Sequence, residues 1–238
     1  MTPLNQSLDL AGVTGFTVSV TTARTVRADR ASSTQEAILK AAERLYAEHG
    51  VFAVSNRQVS EAAGQGNNAA VGYHFGTKTD LVRAIVRRHS TRIEEIRARL
   101  VADLTDPDEV RGWVDCLVRP SLEHLAALGS PTWYARFCAQ VVADPALHRI
   151  MVEEALTSPS LQTIIDGLNR CLPDLPAEVR AERGEMVRHL IVHVAAERER
   201  ALAEHTPTPR ATWDDAATGL TDAVVGMWLA PVTPGARP

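Results

Sequence analysis

Three helix-start signatures follow one another closely along the chain: Ser33 with Glu36, Ser55 with Gln58, and Thr77 with Asp80. In each, a hydroxyl accepts from the amide three residues on, while the later side chain reaches back to the first amide. Donors that a helix start leaves orphaned are thereby satisfied. Asp80 stands where Glu or Gln is usual. Gly50 and Gly64 follow the first two segments and can take the left-handed conformation that stops a helix. Ile38, Ala42, Leu45 and Tyr46 share one face of the first helix, expected to run from Ser33 to His49. The second helix carries Val59, Ala62 and Ala63 over only about two turns. A third, Asn67 to Phe75, presents Ala70, Val71 and Phe75, and a fourth from Thr77 to Leu104 carries Leu81, Ile85, Ile93, Ile96 and Leu100. Such short helices, separated by a tight Gln65-Gly66 turn, cannot be stable alone and must pack as a unit.

The remainder of the chain also reads as helical. Apolar helical segments alternate with breakers at Gly129-Ser130-Pro131, Asp144-Pro145, Ser158-Pro159 and Pro173 to Pro176. Glu185 to His205 and Trp213 to Leu229 form a long helical hairpin in this reading, the second segment bearing Trp213, Ala217, Leu220, Val224 and Trp228 as an apolar stripe. Its stripe is the expected contact of a homodimer. The fold class is therefore all-α, with a three-helix amino-terminal unit at residues 31–90 joined to a larger helical domain at residues 91–232. Residues 1–30, rich in Thr and Ser and ending in Arg24, Arg27 and Arg30, are expected to be a flexible arm.

Charge is divided unevenly. The net charge is −4, yet residues 27–92 carry 10 Lys and Arg against 6 Asp and Glu, whereas residues 93–238 carry 14 against 22. A basic head on an acidic body suits a protein that touches nucleic acid with one end only. Cys116, Cys138 and Cys171 form an odd set with no close pair, arguing against a disulfide framework or thiolate zinc site. With no apolar run of about 20 residues and no signal-peptide pattern, the expectation is a cytoplasmic protein without membrane contact.

Three short helices with a glycine-punctuated turn between the second and third are the layout of a helix-turn-helix. Here the sequence resembles the TetR family of regulators: "ILKAAERLYAEHG", "SNRQVSEAAG" and "YHFGTKTDLV" match its helix one, helix two and helix three-to-four junction in order, over residues 33–90. The stretch between Ala63-Gly64 and Phe75 is one residue longer than the usual pattern. Base contacts therefore do not transfer residue by residue between Gln65 and Gly72.

Chemistry assigns candidate roles. Ser55 at a helix start, with Arg57 a turn away, suits a phosphate. Tyr73, His74, Thr77 and Lys78 form a second phosphate clamp, a role the resemblance implies for the tyrosine and the lysine. Asn67, Asn68 and Gln65 are amides able to read adenine edges, although Asn67 serves equally as a helix cap. The resemblance further implies a cavity for a small apolar or amphipathic effector, a homodimer, a palindromic duplex operator and release from it by ligand. Trp113, Leu117, Trp133, Tyr134, Phe137, His148 and Met151 are the candidate lining. No cofactor is expected.

Two rival readings remain. His189, His193 and Glu197 recur four apart, as metal ligands of a helical enzyme would, but without an HExxH arrangement. A helical protein-interaction module would leave the basic head unexplained. No phosphate-cradling glycine loop or nucleophile elbow accompanies either, so the chain is read as a regulator and not an enzyme.

Overall fold

The computed structural model describes residues 14–233, with side chains from residue 31 onward. Ten helices and no strand are found among them: α1 (Thr14–His49), α2 (Asn56–Ala62), α3 (Ala70–Phe75), α4 (Lys78–Ala102), α5 (Val110–Leu128), α6 (Tyr134–Ala143), α7 (Pro145–Leu156), α8 (Pro159–Cys171), α9 (Ala177–Ala203) and α10 (Trp213–Leu229).

The helix starts follow from side-chain chemistry. Ser55 caps α2 and Thr77 caps α4 through reciprocal capping boxes with Gln58 and Asp80. Thr212 caps α10 in the same way with Asp215. Asp144 and Ser158 cap α7 and α8, each followed by a proline at the first helical position, where its missing N–H costs nothing. α6 has no side-chain cap of its own. Glu199 from α9, only 2% exposed, serves instead, accepting from the Ala135 and Arg136 amides and from the Thr132 hydroxyl. Gly50, Gly64 and Gly76 all have positive φ, at 84°, 68° and 83°, and stop α1, α2 and α3.

Two helices start earlier than expected. α1 begins at Thr14 and not at Ser33, so Ser33 lies inside a helix. No Gly or Pro interrupts the chain between Phe16 and His49, and a helix anchored by packing at its carboxy end can propagate backward. Helix, not an irregular arm, therefore occupies residues 14–30. The side chains of Arg24, Arg27 and Arg30, and all of residues 1–13, lie outside the described residues. α9 likewise begins at Ala177, well before Glu185.

One buried cluster unites the short amino-terminal helices with the body. Ile38, Tyr46, Val59, Val71, Leu81 and Ile85 pack in continuity with Phe137, Val141 and Ile150. A second cluster joins α5, α8, α9 and α10 around Trp113, Leu122, Ile164, Leu220 and Val224. α8 approaches α5 closely at Gly167, where a Cβ would lie 2.3 Å from the Trp113 ring. The last two helices are not a mutually packed hairpin: α10 rests chiefly on α5, and α9 on α6. α9 instead holds α10 by its ends. Buried Arg183 donates to the carbonyls of Trp228 and Ala230, and Arg198 to those of Arg210 and Ala211.

A buried polar chain crosses the joint between the two units. His89 Nε2 lies 2.7 Å from Glu43 Oε2, and His89 Nδ1 lies 2.7 Å from His124 Nε2. The His89 ring stacks on Tyr134 at 3.7 Å between centroids. With Glu43 ionised, every member is satisfied when His124 donates to His89 and His89 donates to Glu43. α1, α4, α5 and α6 are thus tied together by one network.

Candidate nucleic-acid interface and effector cavity

The turn between α2 and α3 is built by its polar residues. Gly64 and Gln65 amides return to the carbonyls of Glu61 and Ser60. The Ser60 hydroxyl donates to the Asn68 carbonyl at 3.3 Å, pinning the longer turn onto α2. The Gln65 side chain folds back to donate to the Ala63 carbonyl at 3.0 Å, bracing the turn. Asn67 Oδ1 accepts from the Ala69 amide at 2.9 Å, an Asx turn that leads into α3, whose start has no side-chain cap. The third helix accordingly opens at Ala70, three residues later than expected.

What these groups leave exposed is a compact polar surface. Asn68 is exposed and its side chain makes no hydrogen bond among the described residues. Tyr73 is 83% exposed and stands edge-on to His74, with ring centroids 5.0 Å apart. An aromatic so exposed with a phenolic tip is available to a phosphate or sugar. Ser55 and Thr77 are exposed, but their hydroxyls already donate to Gln58 and Asp80. Arg57 Nε binds Glu61 Oε1 at 2.8 Å, leaving its other N–H groups free of described partners.

Lys78 departs most from expectation. Its Nζ donates to the carbonyls of Val51 at 3.0 Å and Val54 at 2.6 Å, locking the α1–α2 loop to the first turn of α4. Burial lowers its pKa. An ammonium has three donors, so one remains for a phosphate. Phe52, 65% exposed with its centroid 6.0 Å from Lys78 Nζ, borders this corner. Nothing in the helical periodicity marks Phe52 out.

Two adjoining cavities, about 710 Å³ and about 770 Å³, lie between α4, α5, α7, α8 and α9. They share Arg97, Ser121, Met151 and Ile191 in their walls, and both are of a size that holds a drug-sized ligand. Of the expected lining, Tyr134 and Met151 border the first and Leu117 and Met151 the second. The other four do not line them. Trp113 is 4% exposed, packed on Gly167, with Nε1 donating to the Pro107 carbonyl. Phe137 is fully buried core, Trp133 reaches out to Glu48 at 3.1 Å, and His148 lines neither cavity, its Nε2 buried without a partner among the described residues. Aromatic clustering in the sequence marked the packed core as well as the cavity wall. The residues it missed, Arg97, Ser121 and Leu161, carry no periodic signal of their own.

α4 connects the two sites. Lys78 stands at its start and Arg97 near its end. Between them Arg83 and Arg87 bind Glu154 of α7, with Arg87 Nε 2.9 Å from Glu154 Oε1. Glu94 accepts from the Ser160 amide and from Ser158 at the start of α8. Burial alone would raise the Glu94 pKa, but these hydrogen bonds outweigh it and the group is lowered.

The metal reading finds no support in this geometry. Glu197 binds Arg200 at 3.1 Å, His189 sits beside Arg188, and no group of three potential ligands converges among the described residues. The apolar stripe of α10 also has a different role from that expected. Ala217, Leu220, Val224 and Trp228 are all buried within the chain, because that stripe is what α10 sets against α5. No described helix is long and apolar enough to cross a membrane.

Comparison with known proteins agrees with this architecture. A family model described as "Bacterial regulatory proteins, tetR family" matches residues 38–85, and one described as "Tetracyclin repressor-like, C-terminal domain" matches residues 115–227. The chain is 34% identical over 68 residues to the HTH-type transcriptional repressor AcnR of Corynebacterium glutamicum, covering 29% of this chain and 36% of that protein. It is 31% identical over 84 residues to the HTH-type transcriptional repressor NicS of Pseudomonas putida, covering 35% of this chain and 39% of the relative. The chain thus spans less than two fifths of the length of these curated relatives. Among solved structures, a TetR family transcriptional regulator, PfmR, of Thermus thermophilus superposes with a TM-score of 0.50 at 16% identity. That match covers 80% of this chain and 96% of the other, a likeness of fold.

Proposed function

The chain belongs to the TetR family of bacterial regulators, and on that premise we propose that it is a homodimeric repressor that binds a palindromic operator and is released by a small amphipathic molecule. The head, residues 31–90, reads DNA, the body, residues 91–232, dimerises and holds the effector, and the protein works in the cytoplasm.

One observation carries this reading: a single helix, α4, starts at the exposed α2–α3 surface and continues into the wall of both cavities. Asn68 is the base reader, and Tyr73, His74, Lys78 and Arg57 are the phosphate contacts. Gln65 and Asn67 act from within the turn. A ligand seated among α4, α7 and α8 biases the links from Glu154 and Glu94 to these neighbours. A rotation of α4 then changes the separation of the two α3 helices from the roughly 34–36 Å that successive major grooves demand. Ligand can do so only by binding the DNA-free arrangement more tightly than the bound one.

The dimer contact is assigned to the outward faces of α9 and α10. Met186 and Val194 are exposed at 46% and 36%, and a Cβ at Gly226 would meet nothing within 4 Å. Light scattering on the purified chain tests this: a dimer is expected, and a monomer at micromolar concentration would overturn it.

A further inference from the structure

The two cavities differ in charge. The first has Glu94, Glu95 and Glu154 in its wall together with Arg87 and Arg97. The second is enclosed by apolar side chains such as Leu161, Leu168 and Trp228, and its charged residues are Arg97, Arg180 and Arg188, with no Asp or Glu among them. The charged side chains at its wall are thus of one sign; Glu94 and Glu185 pair with Arg97 and Arg188, but both carboxylates lie outside the lining.

The arginines also have unused donors. Arg97 has a side chain only 12% exposed. Its Nη1 donates to Glu94 at 3.0 Å and to Ser158 at 3.1 Å, while its Nε is buried with no partner. Arg188 directs Nη2 to Glu185 and His189, and its Nε and Nη1 are buried without partners. Arg180 is engaged by Asn169 at 2.8 Å. A buried donor left unpaired costs free energy, more for a charged group. Water or a purely apolar ligand brings at most a neutral acceptor, and a cationic ligand adds repulsion. A carboxylate supplies two acceptor oxygens in the fork geometry that guanidinium matches.

We propose that the second cavity is a site for an anionic amphiphile, a molecule with a long apolar body and one carboxylate, whose head pairs with Arg97 and Arg188 and whose body lies against Leu161, Leu168 and Trp228. The proposal rests on the reading of this cavity as the effector site and names the chemical class of the effector. Arg97 gives it a consequence for signalling. Its guanidinium already holds Glu94 and Ser158, so an anion arriving there competes for the contact that ties α4 to the start of α8.

The test is calorimetric titration of the full chain with decanoate, decanol and decylammonium, matched in chain length and each kept below micelle formation. Decanoate is expected to bind at least tenfold more tightly than decanol, with decylammonium weakest. Arg97→Gln and Arg188→Gln should each weaken decanoate about tenfold and leave decanol within twofold. Decanol or decylammonium binding as tightly as decanoate would overturn the anionic assignment while leaving the effector cavity standing. Binding of none of the three would overturn both. If Arg97→Gln fails to fold, as circular dichroism would reveal, the ranking on the unmodified chain and the Arg188→Gln result decide.

Discussion

Lys78 and the two adjacent asparagines separate what a residue does for the fold from what it does for DNA. Lys78 braces the α1–α2 loop and is also the proposed phosphate contact. Lys78→Ala strips two carbonyls of their donor, so urea unfolding should reveal a loss on the order of 1–3 kcal/mol. The slope of DNA binding against salt should fall by about one unit, the counterion released by one phosphate contact. An unchanged slope with lowered stability would leave Lys78 a purely structural clamp. The asparagines divide these duties. Asn67→Ala should cost about 0.5–1.5 kcal/mol of stability, the net worth of the one turn hydrogen bond it removes. Asn68→Ala should leave stability unaltered and cost about 1–3 kcal/mol on the cognate operator, with preference relaxed at one base position; uniform loss on every duplex would reject base reading. The sequence identified these residues but not their partners. Amide side chains at Gln65 and Asn67 can read bases or close a turn, and only the turn's path reveals the contacts they make within it.

Among the helices, capping chemistry was legible and burial was less so. Ser55 and Thr77 cap where their boxes indicate, Asp144 and Ser158 turn two expected breakers into caps, and the Ser33 box fails because α1 runs through it. The stripe on α10 was visible too, but periodicity gives a face without its partner. That face meets α5 of the same chain, so Val224→Asp should prevent folding altogether, whereas Val194→Asp, on the exposed face of α9, should yield a folded monomer in light scattering. Folded monomer from Val224→Asp would contradict this division. Gly167→Ala offers an independent check on the α5–α8 contact. Its methyl group must displace the Trp113 ring, at a cost of about 1–3 kcal/mol typical of overpacking, and an unchanged melting temperature would rule out so close an approach.

At the scale of the whole molecule, the buried chain Glu43–His89–His124 joins the head to the body and gives stability a pH dependence. Burial, with His89, Arg92 and Arg88 adding to it, lowers the His124 pKa to about 4 from its ordinary 6.5. The unfolded chain therefore takes up a proton in this window before the folded one does, so stability should hold above about pH 6.5 and decline as pH falls toward 4. His124→Gln should flatten that decline in thermal melts, and an unaltered profile would assign it to other groups. Neither this network nor Arg97 was legible in the sequence, since His89, His124 and Arg97 sit in helices where charged and polar residues normally face water. Only the fold brings α1, α4, α5 and α6 to one point and turns Arg97 inward. The broader claim is that one molecule couples an operator to a ligand through α4. Its most direct test is fluorescence anisotropy with the purified chain and DNA from immediately upstream of its own coding sequence, repeated with saturating decanoate. Two chains per duplex, affinity at least a hundredfold above a scrambled duplex, and at least tenfold weakening by decanoate are expected. Equal affinity for the two duplexes would contradict the regulator itself, and specific binding that decanoate leaves unchanged would contradict its release by that ligand.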